Sequence, residues 1–411
     1  MRSQRERLFA ASVACVSAKG YEATTVANLL ETSGVSRSAF YEHFLDKEEC
    51  VLTAFETLVE MAERLFRERL AEEGESGDGR SGDALDVLLE TIVAQEAAAR
   101  LCFCDIYTVG ETGRLAGERA LARAAVVAGE VIADVWGREL PEEFLHAMVG
   151  GLHAFIQTHL RRGEVERLPA YAQDLRALAL SVQAPSAPLR LAGRRFRQHA
   201  PPPFVAYSQA EQILRALAAA ASERGYPAVT IAEIAARASV SQATFYSHFS
   251  GKQAALVAAI DSAGSQMLAV AMPAARRTVG WPYTIRAAFG GSLAFCASEP
   301  QLARLAVVEI NAAGPAAFEQ RDRRLEAFLG LMEPGFEAAP NVKPAMAEVI
   351  LGAVWRLVYR KIVEGSPEDL PQVAPVATYM LLSPFIGSEE ALAVANSDGR
   401  AHPAPSGAPK P

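Results

Sequence analysis

Cysteine is scarce: five residues in 411, irregularly spaced, which excludes a disulfide framework. No run of about eighteen uncharged apolar residues occurs, so no membrane span is expected. Three arginines stand in Met1 to Arg7, but no apolar stretch follows to make a secretion signal. A cytoplasmic location is the expectation. Basic charge is not in excess either, with 40 Lys/Arg against 48 Asp/Glu and a net charge of −8. The first fifty residues hold six Lys/Arg and seven Asp/Glu. Charge by itself therefore does not propose a nucleic-acid partner, although phosphate contact needs only a local basic face. Period-two alternation and β-branched runs are also sparse. Apolar residues recur instead at three and four, which sets the fold class as all-α.

What the chain does contain is a repeat. Ser3 to Leu52 aligns without a gap on Ser208 to Val257, with 18 of 50 positions identical. Four of the identities are alanines in an alanine-rich protein. The others include Gly20-Tyr21 with Gly225-Tyr226 and Val35-Ser36 with Val240-Ser241. They also include Phe40-Tyr41-x-His43-Phe44-x-x-Lys47 with Phe245-Tyr246-x-His248-Phe249-x-x-Lys252. Weaker landmarks extend the correspondence: Ala99-Arg100-Leu101, Asp105-Ile106 and Gly110 match Ala303-Arg304-Leu305, Glu309-Ile310 and Gly314. A unit of about 200 residues is too long for a solenoid repeat, so each half is expected to be a domain pair.

Each copy opens on Ser-x-x-Glu (Ser3/Glu6, Ser208/Glu211), a capping box that starts a helix. Gly20 and Gly225 suit its end. A second short helix is expected from Thr25 to Glu31. In Ser33-Gly34-Val35-Ser36 the glycine permits a left-handed turn, the valine plugs the core and Ser36 caps a third helix reaching Glu42. Helix, tight turn and helix at this spacing form a DNA-reading arrangement. Copy two places Ser239 where copy one has the turn glycine.

Thr24-Thr25-Val26, Gly34-Val35-Ser36 and Phe40-Tyr41-x-His43-Phe44-x-x-Lys47 resemble the signature of the TetR family of transcriptional regulators. The second copy repeats it with Thr230-Ile231, Val240-Ser241 and Thr244-Phe245-Tyr246-x-His248-Phe249-x-x-Lys252. The resemblance implies that Tyr41, His43, Lys47, Tyr246, His248 and Lys252 touch DNA phosphates, which fixes register without reading sequence. It leaves base reading to Arg37, Ser38 and Ala39 in one copy and to Gln242, Ala243 and Thr244 in the other. Arginine pairs with the guanine edge and glutamine with adenine, so unlike half-sites are expected, roughly 34–36 Å apart. Linker arginines Arg194, Arg195 and Arg197 are candidates for a backbone or minor-groove arm, with a solvated tether the blander reading.

Simpler readings stand beside these. Phe40, Phe44, Phe245 and Phe249 are expected to be core. Cys102 and Cys104 lack a histidine or second cysteine pair for a zinc set and fall at apolar positions. His146, His153 and His159 approximate one helix face, where packing is the simpler role. No nucleophile-and-base pair, phosphate loop or carboxylate pair stands out, so neither enzymatic activity nor a cofactor or metal is expected.

The expected domains are residues 1–50 and 208–255 for the two DNA-binding units, and 51–183 and 256–395 for two helical effector and dimerisation units. A basic, proline-rich linker is expected at 184–207, a disordered tail at 396–411 and a loop from Glu73 to Asp83. The family resemblance implies a dimerising four-helix bundle from Glu142–Arg162, Leu168–Val182, Lys343–Glu364 and Leu370–Phe385. Packed within one chain, these would make an intrachain pseudo-dimer. A homodimer of the chain is the other assembly. The resemblance also implies a pocket for a small apolar or aromatic effector. Its candidate walls are Phe103, Tyr107, Trp136 and Phe155 in the first half, and Phe295, Phe318, Trp355 and Tyr359 in the second. The partners implied are thus operator DNA and that effector, with no membrane. The competing reading is a small-molecule sensor or protein-interaction module whose DNA contacts have decayed.

Overall fold

A computed structural model describes residues 3–72, 80–190, 208–312 and 315–397, all helices, turns and connecting segments. The chain divides into two compact units, Met1–Leu180 and Ser181–Pro411. The first unit runs α1 (Gln4–Ala23), α2 (Val26–Ser33), α3 (Arg37–His43), α4 (Lys47–Glu72), α5 (Arg80–Ala94) and α6 (Glu96–Phe103). A 3-10 turn, Asp105–Thr108, leads to α7 (Glu111–Trp136), α8 (Glu142–Arg162) and, after a second such turn at Val165–Tyr171, α9 (Ala172–Ser181). The second unit opens with α10 (Gln209–Arg224), a 3-10 turn at Tyr226–Ala228, α11 (Ile231–Arg237), α12 (Gln242–His248) and α13 (Lys252–Ala275). It continues through α14 (Trp281–Ser298), α15 (Pro300–Val307), a turn at Glu309–Ala312, α16 (Pro315–Leu331) and α17 (Glu333–Ala338). It closes with α18 (Pro344–Val363), a turn at Pro367–Val373, α19 (Ala374–Ile386) and α20 (Ser388–Ala395).

Local chemistry sets the three-helix unit that opens each half. Both capping boxes form: the Glu6 amide donates to Ser3 Oγ at 3.1 Å and the Ser3 amide to Glu6 Oε2 at 2.8 Å. Ser208 and Glu211 repeat this at 3.2 and 2.9 Å. Gly20, at φ 81°, breaks helical geometry inside α1, and Gly225 ends α10 at φ 77°. A third box, Thr25 with Asn28, starts α2. Both expected short helices sit within one or two residues of their expected bounds.

The turns before the third helices differ as their sequences do. Gly34 is left-handed (φ 63°), and its amide donates to Leu30 O at 2.9 Å. Ser239 takes the same conformation at φ 56°, the one non-glycine residue with positive φ among those described. There the Val240 amide reaches Ala235 O at 3.0 Å and the Ser239 amide reaches Ala236 O at 3.1 Å, a Schellman closure.

Several boundaries shift. Arg80 to Asp83 belong to α5, so the expected loop after α4 is shorter, and 73–79 lie outside the described residues. The linker's beginning is bound to the second unit. Tyr379 Oη and Ser388 Oγ donate to Gln183 O and Oε1 at 3.1 and 3.0 Å. Asn396 accepts from the Arg190 amide at 2.6 Å and donates to Pro188 O at 3.2 Å. Residues 191–207, with Arg194, Arg195 and Arg197, and residues 398–411 lie outside the described part. α20 was not anticipated as a separate helix. Of the described helices, α13 alone is long and apolar enough to cross a membrane; Ala255, Leu256, Ala259 and Ile260 on it are fully buried in the second unit's core.

A left-handed L-residue costs roughly 1 kcal/mol, and Ser239 is exposed. Ser239→Gly should therefore raise stability by about 1 kcal/mol, and Gly34→Ala should lower it by a similar amount, both read from chemical denaturation midpoints.

Candidate nucleic-acid interface

The candidate reading helices are α3 and α12. Ser36 Oγ accepts the Ala39 amide at 3.2 Å and Ser241 Oγ accepts the Thr244 amide at 2.9 Å, so each helix starts where expected. Phe40 and Phe245 are fully buried and anchor the two helices, with Phe44 buried and Phe249 half-buried beside them. Ring centroids of Phe40 and Phe44 lie 5.8 Å apart, and those of Phe245 and Phe249 5.9 Å apart. That anchoring turns the opposite face outward: Tyr41 is 52% exposed and Tyr246 54%, and His43 and His248 are exposed as well.

The base-reading candidates separate on this geometry. Arg37, Gln242 and Ala243 are exposed, and the side chains of Arg37 and Gln242 form no hydrogen bond among the described residues. Ser38 is exposed but shares a 3.1 Å hydrogen bond with the Ser36 cap. Ala39 is not on the outer face. It is 7% exposed and packs with Leu8, Leu29 and Phe40, because three residues past the cap the helix has turned inward. Thr244, its counterpart, is half-buried, with its hydroxyl 2.9 Å from Ser241 Oγ. Tyr41, Glu42, Tyr246 and Ser247 complete the exposed faces. Glu42 and Ser247 were missed, although counting four residues on from Ser38 and Ala243 would have found them.

The two lysines are engaged within the fold. Lys47 Nζ donates to Tyr21 O at 2.9 Å and sits 4.0 Å from the centroid of the Tyr21 ring. Burial, opposed by Glu22 and Glu48, pulls this ammonium below its ordinary value, and Tyr21 is pushed up to about 12 by burial with Glu48 and Asp46. Lys252 goes further. Its ammonium donates to the carbonyls of Tyr226, Pro227 and Val229 at 3.1, 3.2 and 2.9 Å, and lies 4.5 Å over the Tyr226 ring. An ammonium has three donors, so a phosphate bond to Lys252 would require one of these to be given up. Both lysines fasten the turn after the first helix to the start of the fourth.

The starts of the fourth helices differ in charge. At α4, Asp46 Oδ1 accepts the Glu49 amide at 2.9 Å and Glu49 Oε2 accepts the Leu45 amide at 2.6 Å, and Glu48 adds a further carboxylate in the first turn. These groups occupy the helix amides and repel phosphate. α13 starts at Gly251 with no side-chain cap and no acid in its first turn. An open surface cleft of about 650 Å³ lies there, bordered by Ser250, Gln253, Asp261 and Gln320.

None of the eight expected effector-pocket residues borders that cleft. Tyr107, Phe155, Phe295, Phe318 and Tyr359 are buried packing residues, and Phe103 and Trp355 are half-buried. The side chain of Trp136 lies outside the described residues. Phe103 and Tyr107 come together around His153, at 5.0 and 5.8 Å between ring centroids, with Tyr107 Oη 3.3 Å from His153 Nε2. Phe155 instead stacks with His159 and Tyr171. The expected first-half wall is thus two clusters. Burial pushes His159 below its ordinary value and the Cys102 thiol up to about 12, so neither carries charge near neutrality. No group of three His, Cys, Asp or Glu able to hold a metal occurs among the described residues.

A buried aromatic that aims a short, serine-capped helix outward defines a helix-turn-helix DNA-binding module, present twice here. The signature of bacterial regulatory proteins of the tetR family matches residues 8–54 and 213–260. A curated relative, the uncharacterized HTH-type transcriptional regulator YerO of Bacillus subtilis (strain 168), is 36% identical over 62 residues. That match spans 15% of this chain and 22% of the relative. Each of the two tandem halves of the chain thus opens on a DNA-binding unit of the tetR-family type. Among solved structures, the fatty acid degradation regulator FadR from Bacillus halodurans is similar with a TM-score of 0.40 and 15% identity, covering 44% of this chain and 96% of that one. FadR from Bacillus subtilis in complex with stearoyl-CoA gives 0.39 and 16%, covering 43% and 97%.

Asp105, beside the first DNA-binding unit, carries a pH dependence. Burial pushes its carboxyl up to about 6 from 3.8, against the pull of Arg100 and Arg161, and its Oδ2 accepts no hydrogen bond. Folding therefore favours the protonated acid, so the contribution is present below about pH 4 and lost as pH rises through about 6. At pH 7.5, Asp105→Asn should stabilise the protein by about 2–3 kcal/mol, the free-energy equivalent of the shift. That gain should shrink toward pH 4 in thermal melts. A second check concerns Lys252→Met, which leaves three turn carbonyls without their donor and should destabilise by about 1–3 kcal/mol. Unchanged melting with weakened DNA binding would assign the ammonium to phosphate instead.

Proposed function

We propose that the chain is a ligand-responsive repressor whose two reading helices, joined by one polypeptide, bind unlike half-sites of a single operator. Arg37 and Gln242 carry this reading. They occupy equivalent first positions of α3 and α12, both are exposed, and neither side chain forms a hydrogen bond among the described residues. An arginine and a glutamine in the same place select different bases. Tyr41, His43, Tyr246 and His248 are the phosphate-facing groups of the proposal. The acid-free start of α13 favours a phosphate more than the carboxylate-capped start of α4 does.

The helices α8, α9, α18 and α19 are the dimerising bundle of this proposal, making the chain a pseudo-dimer that works in the cytoplasm. A small apolar or aromatic effector acts by binding one arrangement of the fourth helices better than another, since a ligand shifts an equilibrium only by its difference in affinity. The packed aromatic clusters mean that such a ligand must displace side chains to enter.

Selection of bound duplexes from a random pool should recover an asymmetric site with centres about one helical turn apart. Arg37→Ala should relax preference in one half-site and Gln242→Ala in the other, by roughly 1–3 kcal/mol each. Log affinity should fall against log salt by about 0.9 for each phosphate neutralised. A flat salt response would favour a sensor or interaction module without DNA contacts, which the acids Glu42, Glu48 and Glu49 around the first reader would suit.

A further inference from the structure

The two halves attach their DNA-binding units in different ways. In the second half a single apolar core runs from the DNA-binding unit into the effector helices, joining Ile213, Leu217 and Phe245 to Leu302, Leu305 and Ile310. Two buried carboxylates add polar ties. Arg215 on α10 donates through both Nη atoms to Glu299, each at 3.1 Å. The Tyr226 amide, in the turn gripped by Lys252, donates to Glu309 Oε2 at 2.8 Å, and Glu309 Oε1 lies 3.6 Å from Arg304.

The first half has neither tie. Ala10, Gln95 and Asp105 stand at the positions of Arg215, Glu299 and Glu309, and Asp105 Oδ2, one methylene shorter, is buried without a hydrogen bond. Its core is also divided, with Leu8, Leu29 and Phe40 in one cluster and Val16, Phe55, Leu101 and Ile106 in another. The fourth helices follow suit. Beyond Phe55 no described α4 residue is buried; the helix is laced to α7 by exposed ion pairs, Glu56–Arg119 at 3.5 Å, Glu63–Arg123 at 3.4 Å and Arg67–Glu130 at 2.5 Å. Such surface pairs hold weakly and are screened by salt. On α13 burial persists to Ala271 and Ala275, and a Cβ on Gly291 of α14 would fall 2.7 Å from Ala271 Cα.

We infer that Glu299 and Glu309 are positioning residues that lock the second reading helix to its effector domain, so that effector-driven movement belongs to the first half through α4. The inference deepens the proposed operator reading and rests on it for its consequence, while its structural core does not need DNA.

Amide hydrogen exchange of the full chain, without DNA, tests the lock. Amides of α4 beyond residue 56 should exchange at least tenfold faster than those of α13 beyond residue 260, with the difference growing in high salt. Equal or reversed rates overturn the division. Glu309→Ala should speed exchange at Tyr226 at least tenfold and leave Tyr21 unchanged, while Glu309→Gln, whose amide oxygen still accepts, should keep Tyr226 near the parent rate. An unaltered Tyr226 in Glu309→Ala refutes the tie, and so does equal acceleration at Tyr21. Footprinting on the selected operator then asks the functional question. Glu309→Ala should lose protection of the Gln242 half-site about tenfold more than of the Arg37 half-site, and equal losses reject the positioning role. If the parent binds no duplex at all, the operator reading fails while the exchange result stands by itself.

Discussion

The molecule depends on one buried ring in each DNA-binding unit. α3 and α12 are seven residues long, too short to persist in water, because helix nucleation is unfavourable and only propagation recovers it. Phe40 and Phe245 supply the missing stability by filling the core under the first helix. Burying a phenylalanine contributes roughly 1.5–3 kcal/mol, and it also fixes the helix rotation about its own axis. With the ring inward, the residues at positions 37 and 242 must point outward. Anchoring and the outward presentation of these positions are consequences of the same contact.

A second constraint is the turn at the end of the first helix. Its carbonyls face the ammonium of Lys47 or Lys252, which ties the start of the fourth helix to it. The fourth helix joins each DNA-binding unit to the helices that follow it, so this small junction sets how rigidly the two are coupled. In the second half the junction also meets the Glu309 carboxylate, and the coupling is stiff. In the first half Asp105 is too short to take that place.

Duplication explains why the halves can differ in this way. Two copies in one chain need not stay identical, and each can drift provided that its third helix stays anchored. Identity is kept at Phe40, Phe44 and their counterparts, where volume and shape are constrained by close packing. It is relaxed at position 37 against 242, where the side chain is exposed, and along α4 against α13, where one helix is charged and the other rich in alanine. The substitution of Ser239 for the turn glycine is tolerated because its strain is small beside the packing around it.

The amino-acid sequence alone determined the helical class, the doubling, the capping boxes, the left-handed turns and the buried aromatics. The doubling shows as a repeat of sequence between the halves; each of the others follows from residues within four or five positions of one another, where backbone geometry leaves few choices. It also pointed to Arg37 and Gln242 as outward-facing. Only the tertiary structure decided that Ala39 turns inward, that Lys252 spends its donors on three carbonyls, and that the expected first-half pocket aromatics divide between two clusters, around His153 and His159. The ties from Arg215 to Glu299 and from Tyr226 to Glu309 span 84 and 83 residues, and no periodicity announces a partner at that distance. Such contacts arise when separate helices dock, and side-chain reach in the folded chain, down to a single methylene, settles which of them form.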